Sequence, residues 1–232
     1  MLSFAFSVLF VIFFVLTLVL RYWLASRHIR HVLRHRERVP DEFAEKIPLA
    51  AHQKAADYTV AKTRFGLLHA IWNGVVLIGF TLMGGLQALS TALLHVTGPG
   101  MMHQILLVVA FAAISGALDL PFAYWFQFVL EQRFGFNKMT VGLWLADMVK
   151  GTLIGAVIGL PLLWLVLTLM DKTGSLWWLY TWAVWCAFQL LAMVIYPTLI
   201  APLFNKFTPL ADESLKARIE GLMARVGFAS KG

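Results

Sequence analysis

The chain is 232 residues long, 60% hydrophobic and only 13% charged. A soluble domain carries about 25% charged residues, so the composition excludes a soluble fold and sets an integral membrane protein. The formal net charge of +7 does not argue for a nucleic-acid partner: the basic residues gather beside apolar runs, and no groove-reading motif accompanies them.

Leu2 to Leu20 is uncharged. At about 1.5 Å of rise per residue it is long enough to cross a bilayer core of roughly 30 Å. Nothing basic precedes it, so it reads as a retained anchor rather than a cleaved leader, and the first span is predicted near 2–24. Tyr22 to Arg36 lacks Gly and Pro and prolongs that helix. Pro40 ends it, and Pro48 opens another that runs into the second span, so 25–66 is read as a helical loop. Arg27, Arg30, Arg34 and Arg38 recur there at helical spacing, a stripe suited to anionic headgroups. His28, His31 and His35 share a face of the same helix, but the arginines around them disfavour a cation and no metal site is read there.

From Phe65 to Leu118 there is no Asp, Glu, Lys or Arg, too long a run for one span. Thr97-Gly98-Pro99-Gly100 divides it, which predicts spans near 67–94 and 101–130. A fourth is predicted near 149–170 and a fifth near 175–204. The fifth lies in an uncharged run from Thr173 to Asn205 that exceeds one crossing, and its end is expected to bend at Pro197 or Pro202. Residues 1–210 thus read as a membrane domain, and 211–232 as an amphipathic helix. In that helix Asp212 is the expected N-cap and Gly227 the stop, with Leu215, Ile219, Leu222 and Val226 on one face. Long uniform runs exclude a membrane β-barrel, whose strands alternate. The expected fold class is all-α, multi-pass and transmembrane, with about five spans.

Five spans place residues 21–64, 131–150 and the tail on one side, with 10, 3 and 5 Lys and Arg, against Lys172 alone on the other. The positive-inside bias makes the first side cytoplasmic and the N-terminus external. In a bacterium the membrane would be the inner, plasma membrane.

Among groups that carry chemistry, Cys186 is the single cysteine and reads as a small buried hydrophobe. H-E-x-x-H, which a gluzincin-type zinc protease needs on one helix, does not occur. The polar residues in apolar context are more informative. Asp119 lies mid-way along the third span, which Glu131 and Arg133 close. Asn137 suits a turn. Asp147 and Lys150 stand one helical turn apart, a spacing suited to an ion pair, and Asn205 ends the last apolar run. Interhelical hydrogen bonding is one reading of such groups. The other is a wet interior, favoured for Asp119, Asp147 and Lys150 because isolated charges rarely face lipid.

Three segments carry a resemblance: KAADYTVAKTRFG at Lys54 to Gly66, EQRFGFNK at Glu131 to Lys138 with the following Asp147 and Lys150, and YPTLIAPLFNKFTPL at Tyr196 to Leu210 leading into the helix of Arg218 to Phe228. Together they resemble the CAAX prenyl protease type 1 family of membrane zinc endopeptidases. The resemblance implies a larger helical chamber ringed by seven spans, a zinc cofactor in the full-length protein, and prenylated or membrane proteins as substrates. It also implies a C-terminal peptidase domain as the partner that the amphipathic helix would open. No catalytic or metal residue of that family falls within these 232 residues, so the expectation is an N-terminal membrane scaffold that holds no cofactor and is inactive alone. The rival readings are a scaffold or adaptor without chemistry and a small transporter.

Overall fold

The structure is a computed structural model and describes residues 2–205, 208 and 210–228. Lys206, Phe207 and Pro209 of the third family-like segment, and the tail from Ala229 to Gly232, lie outside the described residues. Among the described residues there are helices and turns and no strand. Five helical stretches are long and apolar enough to cross a membrane: Phe4–Arg34, Leu49–Thr81, Met101–Phe134, Val141–Lys172 and Gly174–Phe204. Their apolar side chains are largely exposed, as at Phe4, Val157 and Met193. Exposure on this scale suits lipid and not water. The protein is an all-α, multi-pass integral membrane protein.

The chain forms two compact units, Met1–Ala146 and Asp147–Gly232. In the first, α1 (Leu2–Arg34) and α2 (Leu49–Thr81) pack as an antiparallel pair. A proline disfavours helix in the residue before it, and Pro48 stands as N-cap of α2. The Arg36 guanidinium fixes the register, donating from Nε and Nη2 to the two carboxylate oxygens of Asp57 at 2.8 and 2.9 Å. Its Nη1 donates to Glu37 at 2.6 Å, and Gln53 donates to the other Glu37 oxygen at 2.8 Å. These bonds, to Asp57 first and Glu37 second, raise the Arg36 pKa above its already high value. Further along, the Phe14 ring lies against Gly74, where a Cβ would stand 2.8 Å from Phe14 Cζ. Any larger residue at 74 would displace the ring.

The second apolar run differs from the single span expected over 67–94. Helix α2 ends at Thr81, and α3 (Gly85–Thr97) begins after Gly84. Gly84 has φ +79°, a left-handed conformation that ends a right-handed helix and that glycine adopts at little cost. Gly85 adds a close approach, since a Cβ there would lie 2.8 Å from the Gly79 carbonyl oxygen. The span-length helix is therefore α2, which takes up the end of the expected loop.

Helix α4 (Met101–Trp125) continues through a π turn at Phe126–Glu131 into the single turn α5 (Gln132–Phe134). Pro121 inside α4 has no N–H to give the preceding turn, so the ladder is already interrupted upstream of the π turn. After α5, α6 (Val141–Lys172) runs into the second unit. That unit holds α7 (Trp177–Ile195), a second π turn at Tyr196–Ile200, α8 (Ala201–Phe204) and α9 (Glu213–Arg225). The run stays helical through Pro197 and Pro202, the two prolines at which a bend was expected. Pro197 sits in the π turn and Pro202 in the first turn of α8, where a missing N–H is tolerated.

Candidate functional site

Few side chains are buried among the described residues, and most of them lie on α2 and on the π turn with α5. Ala56 and Val60 on α2, Leu130 in the π turn and Phe134 in α5 are four of them. Ala56, Val60 and Phe134 lie on the two segments that the sequence singled out as KAADYTVAKTRFG and EQRFGFNK, and Leu130 immediately precedes the second.

The geometry of the second segment follows from its residues. Gly135, at φ +79°, closes α5 in the left-handed conformation. Its N–H donates to the Gln132 carbonyl at 3.0 Å, and the Phe136 N–H reaches back to the Glu131 carbonyl at 2.9 Å. This reversal brings both Phe134 and Phe136 to one ring on α2. Tyr58 meets both edge-on, with centroids 5.3 and 4.8 Å away, a favoured aromatic geometry. The Tyr58 hydroxyl donates to Glu131 Oε1 at 2.5 Å. An inserted π turn rotates the residues after it about the helix axis, and Glu131, its last residue, is turned to α2. Lys62 lies over the rings of Tyr58 and Phe126 at 5.4 and 5.8 Å, and Arg133 over Phe134 at 5.7 Å. Asn137 accepts at Oδ1 from Gln127 Nε2 at 2.7 Å and from the Met139 N–H at 2.8 Å, so it ties the loop to the π turn.

Of the other residues singled out in the sequence, Asp119 on α4 is half-buried and hydrogen-bonded to His69 Nε2 on α2. The His69 ring stacks on Phe122 at 5.0 Å, and Trp72 Nε1 donates to the Leu118 carbonyl at 3.1 Å. In the second unit Lys150 Nζ lies 3.5 Å from Asp147 Oδ1 and 6.0 Å from the centre of the Phe204 ring. Asn205 leaves α8 in an extended conformation, with its N–H on the Ala201 carbonyl at 3.0 Å. The structure thus joins Glu131, Arg133 and Asn137 in one cluster, and keeps Asp119 in a separate pair. Among the described residues one hydroxyl meets an imidazole, Ser90 Oγ at 3.1 Å from His103 Nε2, and the buried His103 Nδ1 has no hydrogen-bond partner to orient the ring. Among the described residues no three His, Cys, Asp or Glu side chains converge as a metal would require. His31 and His35 stack on each other at 4.3 Å, with His35 Nδ1 on the His31 carbonyl. The donor set present does not fit a zinc site.

Sequence reasoning missed Arg36, Asp57, Tyr58 and His69. For His69 a signal was available: it is a titratable group in the run from Phe65 to Leu118, and a lone Asp119 in an adjacent span needs a partner.

Residues 28–206 match the family described as CAAX prenyl protease N-terminal, five membrane helices. The chain belongs to this family. It is 36% identical over 203 residues to CAAX prenyl protease 1 of Saccharomyces cerevisiae, covering 82% of this chain and 44% of the yeast protein. The Arabidopsis thaliana homologue is 35% identical, with 77% and 44% covered. The Homo sapiens homologue is 29% identical, with 89% and 45% covered. The crystal structure of S. mikatae Ste24p superposes with a TM-score of 0.83 at 31% identity, covering 94% of this chain and 52% of that one. The chain therefore spans about half the length of the relatives it matches.

Proposed function

We propose that this chain is the N-terminal membrane scaffold of a CAAX prenyl protease 1-like zinc endopeptidase acting on prenylated or membrane proteins. Its first loop, its third loop and its tail lie in the cytoplasm. The observation that carries the reading is the cluster built by two family-like segments, in which Tyr58 meets both Phe134 and Phe136 edge-on and is bonded to Glu131. Ala56, Val60 and Phe134, three of the few buried residues among those described, lie on these segments, which suits a rigid frame for a site formed elsewhere. In such an enzyme zinc would supply the Lewis acid and activate water. The residues here do not form that site, so no chemical step is assigned to them. Their role is to hold the frame, and Asp119, Asp147 and Lys150 would face a wet interior shared with the peptidase domain.

The test is a chimera in which residues 1–232 replace the matching half of the S. cerevisiae CAAX prenyl protease 1. It is expected to cleave a prenylated CAAX peptide, and a Gly135→Val chimera to lose most of that activity. A monodisperse, zinc-loaded chimera without activity would overturn the reading.

A further inference from the structure

The α1–α2 pair carries an open groove of about 570 Å³ that the scaffold role does not use. Its floor is Val19, Tyr22, Trp23 and Ile29 of α1, and Arg30 and Arg64 stand at one end. Both arginines are exposed, and among the described residues neither has an ion-pair partner. Register places them together. The Arg36–Asp57 bond pins the two antiparallel helices; counting back six residues on α1 and on seven along α2 gives the same level, roughly 10 Å toward the apolar ends. Asp57 sits two turns from Arg64 on α2, and Arg36 already occupies both its oxygens. A second basic groove continues outward along α1, lined by Arg27, His28, Arg30, His31 and Arg34.

An apolar channel ending in two guanidinium groups without ion-pair partners, of which Arg30 gives only its Nε to the carbonyl of the lining Ser26 at 3.3 Å, has the polarity of a phospholipid read from tail to headgroup. Arginine presents a planar fork that matches phosphate oxygens. Tyr22 and Trp23 are residue types that settle at headgroup depth, and Arg30, two helical turns further out, reaches back toward that level because helical side chains tilt toward the helix N-terminus. We propose that the α1–α2 pair binds one anionic glycerophospholipid, its phosphate between Arg30 and Arg64 and an acyl chain along Val19, Tyr22, Trp23 and Ile29. The proposal rests on the membrane fold alone and is independent of the peptidase reading.

Native mass spectrometry of the whole chain, released from micelles with equal amounts of phosphatidylglycerol and phosphatidylcholine of matched chains, reads it directly. One phosphatidylglycerol is expected to be retained in preference, by about fivefold per arginine. Arg30→Gln with Arg64→Gln is expected to abolish the preference, Arg30→Lys with Arg64→Lys to keep most of it, and Arg27→Gln with Arg34→Gln to leave it in place. If the double glutamine variant is not monodisperse, Arg64→Gln alone decides, with an expected drop of about fivefold. Equal retention of the two lipids by the unmodified chain would overturn the proposal. So would a preference that survives loss of Arg64, or that follows Arg27 and Arg34 instead. Complete displacement by excess inorganic phosphate would also overturn it, because the acyl groove would then contribute nothing.

Discussion

Tyr58 is the residue on which the α2–loop cluster turns. Its ring has two aromatic partners and its hydroxyl has Glu131. Removing only the hydroxyl leaves the packing and takes away one hydrogen bond to a carboxylate, so Tyr58→Phe is expected to destabilise by about 1–2 kcal/mol. Gly135 tests the same cluster through the backbone. Any side chain there meets the left-handed penalty of about 1–2 kcal/mol, while the nearest group to a new Cβ is the flexible end of Lys54 at 3.7 Å. Gly135→Ala should therefore cost that strain and little steric clash. Thermal unfolding in detergent, followed by loss of monodisperse protein, checks both. A Gly135→Ala protein as stable as the parent would mean that the loop has another conformation. Both effects were half-legible in the sequence. The glycine between two aromatics announced a turn, and Glu131 stood out as a carboxylate at the end of a span. Tyr58 did not stand out, because nothing local says which ring of a 33-residue helix will face a loop more than seventy positions away. The same limit hid His69: Asp119 advertised the need for a partner, but its identity depends on how α2 and α4 are rotated.

At the scale of elements, helix type and most helix ends were written locally, and relations between helices were not. Asp212 caps α9 with its Oδ1 accepting the Leu215 N–H at 3.0 Å, and Gly227 follows the helix at φ +78°. The Gly84 break in the second apolar run was present in the sequence as a glycine pair, yet uniform hydrophobicity masked it. Helix α9 carries its own expectation. Leu215, Ile219, Leu222 and Val226 are all exposed, at 42, 44, 62 and 60%, so among the described residues no packing supports this stripe. Full burial of each such side chain is worth roughly 1.5–3 kcal/mol, and a short helix without it is marginal in water. Limited proteolysis is expected to cut between Leu210 and Lys231 while the spans stay intact. Asp212→Ala should speed that cut and Asp212→Asn should not, because asparagine caps as well as aspartate. The Ser214 hydroxyl first, and the Leu215 N–H second, hold the Asp212 pKa below the usual carboxylate range. The cap is therefore intact at neutral pH and weakens only as pH falls through that lowered value. A tail as resistant as the spans would show that its apolar face is already covered.

For the whole molecule, the strongest physical constraint is the asymmetry of charge about five crossings. Both the segment joining α1 to α2 and the segment joining α4 to α6 carry basic residues, whereas Lys172 stands alone among Lys and Arg on the other side. Moving arginine or lysine through a bilayer centre is unfavourable by about 2.5–3.5 kcal/mol each on insertion scales. Short basic loops therefore stay on the side of synthesis, and a reversed insertion would have to transfer most of the chain's positive charge. Arg36, Asp57 and Glu37 form one bonded group at the α1–α2 turn, and such a group needs water on its remaining valences. Reporter fusions after Arg38 and after Gly232 are both expected to read cytoplasm, and fusions after Thr97 and after Lys172 the opposite side. A periplasmic or lumenal signal after Arg38 would sink this orientation. A split result, cytoplasm after Arg38 but not after Gly232, would instead mean an even number of crossings between those points has become odd. The unit from Asp147 onward would then be where a crossing was misassigned, since α7 and α8 are joined through a π turn and two prolines rather than by one uninterrupted helix.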